Sequence, residues 1–121
     1  MADIILVEDN RSVSRAYQLA LESDGHTVRI SASESELVRE LEVGHPDLLL
    51  LDIGLPGVDG LEILRTLRQE SGTALKVAVL SNYSDRGMVH RALKMGALEY
   101  VEKASTTPTL LTVQVRRWLE R

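Results

Sequence analysis

"DLLLLDIGLPGVDG", residues Asp47 to Gly60, runs four leucines directly into a carboxylate, Asp52. An unbroken apolar run of this length, closed by polar and glycine signals, reads as a strand covered on both faces, the pattern of a central strand in a parallel sheet. A carboxylate at the end of such a strand is costly unless a cation or hydrogen-bond donor meets it there. The stretch therefore predicts a covered parallel sheet with a charged site at its edge.

The rest of the chain fits that sheet. "IILV" at 4–7, "TVRI" at 27–30, "DLLLLD" at 47–52, "LKVAVLS" at 75–81 and "LEYVEK" at 98–103 are short apolar or β-branched runs bounded by turn residues, and each predicts a strand. Helical spacing separates them: Val13, Ala16 and Ala20; Leu37 and Leu41; Leu61, Leu64 and Leu67; Val89, Leu93 and Met95; Leu111, Val115 and Trp118. Ser33 with Glu36 predicts a capping box for the second helix, Thr107-Pro108 opens the last, and Gly25, Gly44 and Gly96 stand where helices stop. Five alternations of strand and helix predict right-handed βαβ units, hence an α/β protein with helices on both faces of a parallel sheet. No repeated residue signature marks a solenoid.

A chain of 121 residues fits one domain, 1–121, with a core that needs no disulfide or metal. The absence of cysteine removes thiolate chemistry. A net charge of −4, with 14 basic residues that read as scattered along the chain, argues against direct nucleic-acid binding. "MADIILVEDN" has an acidic start and a short apolar run, unlike a signal peptide or a membrane span, so the expectation is a cytoplasmic protein with no membrane partner.

In an open parallel sheet the ligand site lies beyond the carboxyl ends of the strands. Those ends carry Glu8-Asp9, Asp52, Ser81-Asn82 and Glu102-Lys103. Carboxylates this close repel one another unless a cation sits among them, and Mg²⁺ suits such oxygen donors while leaving room for phosphate. Lys103 supplies a second cation, able to pair with Asp52 or with a bound phosphoryl group.

With "VEDN" after the first strand, "LLDIGLPGVDG" around the third, Ser81 closing the fourth and "GALEYVEK" at the fifth, the chain resembles the receiver domain of two-component response regulators over essentially its whole length. The resemblance implies a flavodoxin-like, doubly wound (βα)5 fold with sheet order 2-1-3-4-5. It implies that Asp52 accepts a phosphoryl group from a sensor histidine kinase or phosphotransfer protein. It further implies that Asp9, Asp52 and the Gly54 carbonyl hold Mg²⁺, with Glu8 helping through water. Ser81 and Lys103 would bind the phosphoryl oxygens, and Tyr100 would be the aromatic that turns inward when Ser81 moves. Output would pass through the fourth helix, fifth strand and fifth helix to an output domain or partner protein, with a phosphorylation-dependent homodimer as one form of it. Such a domain catalyses its own aspartyl phosphorylation and dephosphorylation and is not a turnover enzyme.

Other readings compete. Glu8-Asp9 could cap the first helix, Tyr100 could be plain core, and Arg86, Arg91, Lys94, Arg116 and Arg117 could form solvated faces. His26, His45 and His90 lack ligand spacing and read as surface residues in turns or on a helix face. A Mg²⁺-dependent phosphatase with an aspartyl nucleophile would carry a second Asp as general acid shortly after the first, and "DIG" offers none. A phosphorylation-independent interaction scaffold is the remaining alternative. Two departures from the family pattern stand out: Ala104 where proline usually follows the lysine, and Asn82-Tyr83 where a small residue usually follows the hydroxyl.

Overall fold

The computed structural model describes residues 1–72, 74–83 and 85–121. Strands β1 (Asp3–Val7), β2 (Thr27–Ser31), β3 (Leu48–Asp52), β4 (Val77–Ser81) and β5 (Tyr100–Glu102) alternate with helices α1 (Arg11–Ser23), α2 (Glu34–Val43), α3 (Gly60–Ser71), α4 (Arg86–Lys94) and α5 (Pro108–Glu120). All pairings are parallel and the order is β2-β1-β3-β4-β5. The winding therefore reverses between β1 and β3, which opens a crevice at their carboxyl ends.

The leucine run divides between two cores because successive strand residues face opposite sides. Leu49 and Leu51 join Ile5, Val7, Val77 and Val79 in a cluster that α2, α3 and α4 cover through Leu37, Leu64 and Ala92. Leu48 and Leu50 join Ile4, Leu6, Ala78 and Leu80 in the other, covered by Tyr17 and Leu21 of α1 and by Leu111, Val115 and Trp118 of α5. Every residue of β3, Asp52 included, is buried. Each fully buried leucine is worth about 2 kcal/mol, so the strand that carries Asp52 is held firmly.

Two helix faces differ from the sequence reading. On α1 the buried residues are Ser14, Tyr17 and Leu21, one position on from the predicted Val13, Ala16 and Ala20. Tyr17 and Leu21 bury more apolar area than the alanines, and they set the rotation of the helix. On α4 only Ala92 is fully buried, Met88 and Met95 pack beside it, and Leu93 faces solvent.

The caps are mostly as read. Ser33 Oγ accepts from the Glu36 N–H and Thr107 Oγ1 from the Leu110 N–H. The Glu36 carboxylate reaches back to the Ala32 N–H rather than to Ser33 itself, so the capping box is shifted by one residue. Glu8 and Asp9 do not cap α1; Asn10 does, accepting from the Val13 N–H at 3.1 Å.

Arginines hold loop ends where the sequence shows no sign of it. Arg68 of α3 donates to the carbonyls of Gly72, Leu75, Met95 and Gly96, tying together the ends of α3 and α4. Arg29 of β2 joins Asp3 to Glu40 and Gly44 at the end of α2. His45 and His90 are exposed as expected. His26 is not a surface residue: its side chain is 7% exposed and its Nδ1 accepts from the Ala2 N–H.

Candidate phosphoacceptor site

The register of the sheet assembles the site. Val7 lies opposite Leu51, so the next residues, Glu8 and Asp52, stand side by side at the ends of β1 and β3. Asp52 lies opposite Leu80, which brings Ser81 one step further along β4, and Ser81 lies opposite Glu102, one residue before Lys103. Lys103 opens a short 3₁₀ turn, Lys103–Ser105, rather than ending the strand as predicted. Four strand ends thus bring two carboxylates, a hydroxyl and an ammonium to one edge.

Asp52 is 2% exposed, and both of its oxygens are engaged. Oδ1 accepts from the Gly54 N–H at 2.8 Å, and Oδ2 from Lys103 Nζ at 2.9 Å. Glu8, also 2% exposed, takes a second bond from Lys103 through Oε1, while its Oε2 accepts from the Asn10 N–H. One ammonium is therefore shared by two buried carboxylates, and a unit of negative charge is left over. Burial pushes the Glu8 carboxyl above the usual carboxylate range; the Lys103 and Asn10 donors pull it back in part, and the Asp52 charge adds to the rise. Burial alone would lower the Lys103 ammonium, but its bonds to Glu8 and Asp52 outweigh that and hold it above the ordinary lysine value.

Asp9 is exposed, and oxygen atoms of Glu8, Asp9 and Asp52 all come within 4.8 Å of one another. This is a hard, all-carboxylate donor set with excess negative charge, and it fits a small divalent cation such as Mg²⁺. Gly54 keeps the approach open: a β-carbon there would lie 3.3 Å from Asp52 Oδ1.

Ser81 is fully buried, and its Oγ accepts from the Tyr83 N–H at 3.0 Å; among the described residues it makes no bond to Asp52. Tyr100 is half-buried and its hydroxyl donates to the Tyr83 carbonyl at 2.9 Å. The peptide groups of Tyr83 are thus tied on one side to Ser81 and on the other to Tyr100. Asn82 and Tyr83 are exposed, Tyr83 at 65%.

The sequence reading placed Glu8, Asp9, Asp52, Ser81 and Lys103 at the edge but missed three features. The direct Glu8–Lys103 pair was not foreseen, because nothing in the sequence ranks Glu8 above Asp52 as the partner of Lys103. The role of Asn10 was hidden behind its acidic neighbours. Gly60 closes the glycine-rich run after β3, where nothing in the sequence marks a close contact, yet a β-carbon on it would lie 2.3 Å from Ile53 Cα, so α3 begins in direct contact with the backbone beside Asp52.

A doubly wound parallel sheet with this edge defines a class, and the sequence comparison agrees with it. The chain belongs to the response regulator receiver domain family, whose sequence model matches residues 4–114. It is a two-component signalling domain and not a conventional metabolic enzyme. Among its relatives is the KDP operon transcriptional regulatory protein KdpE of Escherichia coli, 39% identical over 103 residues that cover 85% of this chain and 45% of the relative. A response regulator from Thermotoga maritima superposes with a TM-score of 0.87 at 29% identity, covering 98% of both chains. The beryllofluoride-activated receiver domain of DrrB superposes with a TM-score of 0.84 at 28% identity, covering 100% of this chain and 99% of that one. The chain spans about half the length of the curated relatives it matches. Among the described residues, no helix is long and apolar enough to cross a membrane.

Proposed function

We propose that residues 1–121 form one receiver domain that works as a phosphorylation-controlled switch in the cytoplasm. In this reading Asp52 accepts a phosphoryl group from the phosphohistidine of a sensor histidine kinase or phosphotransfer protein. The observation that carries the proposal is a buried carboxylate at the end of a wholly apolar strand, held between the Gly54 N–H and Lys103 Nζ. That arrangement fixes the nucleophile and partly offsets its charge, which is what phosphoryl transfer through a loose transition state asks of a protein.

A carboxylate oxygen of Asp52 forms the new P–O bond as the P–N bond of the donor breaks, and the departing imidazole takes its proton from solvent. Lys103 is placed to follow the phosphoryl oxygens without leaving Asp52, because its ammonium already lies on Oδ2. Asp9, Asp52 and the Gly54 carbonyl would hold Mg²⁺, with Glu8 assisting through water. When bound, the ion supplies positive charge that offsets both the carboxylates and the incoming phosphoryl group.

A phosphoryl group on Asp52 offers the Ser81 O–H a charged acceptor, and a hydroxyl that turns toward it carries its Oγ away from the Tyr83 N–H, from which it accepts in the unphosphorylated domain. Losing that bond frees one side of the Tyr83 peptide, and Tyr100 holds the other. Ser81 and Tyr100 would in this way carry the change from Asp52 to the surface of α4, β5 and α5, where an output domain or partner protein reads it. Incubation with acetyl phosphate and Mg²⁺ should give a base-labile phosphoryl adduct by intact mass, and Asp52→Asn should abolish it. An adduct that persists in Asp52→Asn overturns the proposal. An output partner that binds equally with and without beryllofluoride would instead favour a phosphorylation-independent scaffold.

A further inference from the structure

Four glutamates fall within the ten residues of α2, and the fold treats them in two ways. Glu36 reaches the Ala32 N–H and Glu40 pairs with Arg29. Glu34 and Glu42 stand one turn before and one turn after Val38, and among the described residues neither forms an ion pair or a side-chain hydrogen bond. The same holds for Glu70 in the last turn of α3. An apolar groove lies between the two helices. Leu37, Ile63 and Leu67 form its floor and are at most 4% exposed, while Val38, Leu41 and Thr66 form its walls. Its volume is about 100 Å³. Because α2 and α3 return across the same face of a parallel sheet, they run in one direction, and Glu34 and Glu70 stand at opposite ends of the groove. No basic side chain lines it among the described residues.

Neither the groove nor its carboxylates serve the domain alone. Val38 is 50% exposed, and a β-branched residue in mid-helix has little to recommend it unless something covers it. Glu42 and Glu70 sit in the last turns of their helices, where the dipole disfavours negative charge. Helix α2 has no basic residue in its last turn, and the one in α3, Arg68, is spent on four backbone carbonyls. An apolar side chain flanked by cations, brought from outside the chain, answers both needs.

We propose that the α2–α3 groove docks a basic amphipathic helix of a partner protein. One aliphatic side chain of that helix enters the groove, and lysines or arginines on either side of it reach Glu34, Glu42 and Glu70. A groove between two helices takes a helix in this way, and a cavity of this size holds one branched aliphatic side chain. Charge complementarity selects the occupant. The same carboxylates repel nucleic acid and anionic lipid surfaces. A second copy, itself at a net charge of −4, would have to bring a different face to this one, and such a head-to-tail contact builds filaments unless its rotation closes. None of the residues that line the groove belongs to the edge that holds Asp52, so the proposal goes beyond the phosphoryl reading and does not depend on it.

The test titrates ¹⁵N-labelled protein, in Mg²⁺, with a short helical peptide that carries leucine on one face and lysines flanking it. The same peptide with alanine in place of leucine, the same with glutamate in place of lysine, and a duplex DNA serve as comparisons. The expected result is amide shifts centred on Val38, Leu41, Thr66 and Leu67, and an affinity that falls with added salt. Alanine in place of leucine should weaken binding by at least about tenfold, the worth of burying a leucine side chain. E42K/E70K should weaken it by about tenfold or more, since each exposed pair contributes about two- to fivefold and the reversal adds repulsion, and E42Q/E70Q should weaken it less. The Tm of E42K/E70K should equal or exceed that of the parent, because lysine in a last turn complements the dipole, so that lost binding is not lost folding. Shifts centred on Glu8, Asp9 and Asp52, unchanged affinity in E42K/E70K, tighter binding of the glutamate peptide or of DNA, or an association of copies in sedimentation that E42K/E70K abolishes would each overturn the proposal. Asp52→Asn should bind the peptide as the parent does. Peptide binding in a parent that forms no adduct with acetyl phosphate supports the docking groove while removing the phosphoryl reading; an adduct without peptide binding does the reverse.

Discussion

Gly60→Ala tests how closely the fold and the site are joined. A β-carbon at Gly60 would lie 2.3 Å from Ile53 Cα, 2.4 Å from Ile53 Cβ and 2.7 Å from the Ile53 carbonyl oxygen. Carbon atoms pack at about 3.5–4.0 Å, so either α3 or the β3–α3 backbone must move by more than about 1 Å. The obstacle is mainly backbone, which has no rotamer to change, so the cost falls toward the upper end of the about 1–3 kcal/mol seen for overpacking. Alanine's better helix propensity returns at most about 1 kcal/mol. The net loss is about 2 kcal/mol, or a fall in Tm of about 8 °C for a domain of this size. Thermal unfolding followed by circular dichroism measures it directly. Because Ile53 sits between Asp52 and Gly54, and the Gly54 N–H holds Asp52 Oδ1, phosphorylation by acetyl phosphate should slow as well. Gly44→Ala is the counterpart: its backbone is extended, with φ 171°, and nothing lies within 4 Å of its β-carbon. That change should raise stability by about 0.4–1 kcal/mol by restricting the unfolded chain. An unchanged Tm in Gly60→Ala would refute the close-approach argument.

Lys103→Met leaves Glu8 and Asp52 buried without their shared cation and should cost about 3 kcal/mol in urea unfolding with EDTA present. Added Mg²⁺ should recover more stability in the variant than in the parent; equal stability of the two in EDTA contradicts the pairing. The deficit should shrink as pH falls through the raised Glu8 value, because a neutral carboxyl needs no counter-charge. Arg68→Ala removes the donor for four carbonyls and should cost about 2 kcal/mol, with Arg68→Lys recovering part of it; unfolding curves that overlay the parent would show those bonds to be idle. Arg116 holds the Asp24 carboxyl below the usual carboxylate range. A depressed folded-state value stabilises above the unfolded value and is lost as pH falls through the folded one. Asp24→Asn should therefore lower Tm at neutral pH and match the parent in strong acid, and a difference that survives in acid would assign the effect to packing.

What the sequence determined by itself follows from periodicity. A two-residue period and an apolar run place Leu48 to Leu51 in a central strand, and five strand–helix alternations fix a parallel sheet. Once the strands are known, Glu8, Asp52, Ser81 and Lys103 must lie at one edge, because parallel strands end together. The α1 and α4 faces were less legible, since a 3.6-residue period leaves the rotation of a helix free by about one position and the larger side chains decide it. What only the tertiary structure decided depends on distances between segments that the pattern does not relate: Lys103 shared between Glu8 and Asp52, Gly60 against Ile53, His26 under Ala2, and Arg68 across two helix ends. Each is set by the packing of whole elements to within about an ångström, and a residue pattern carries no information at that scale.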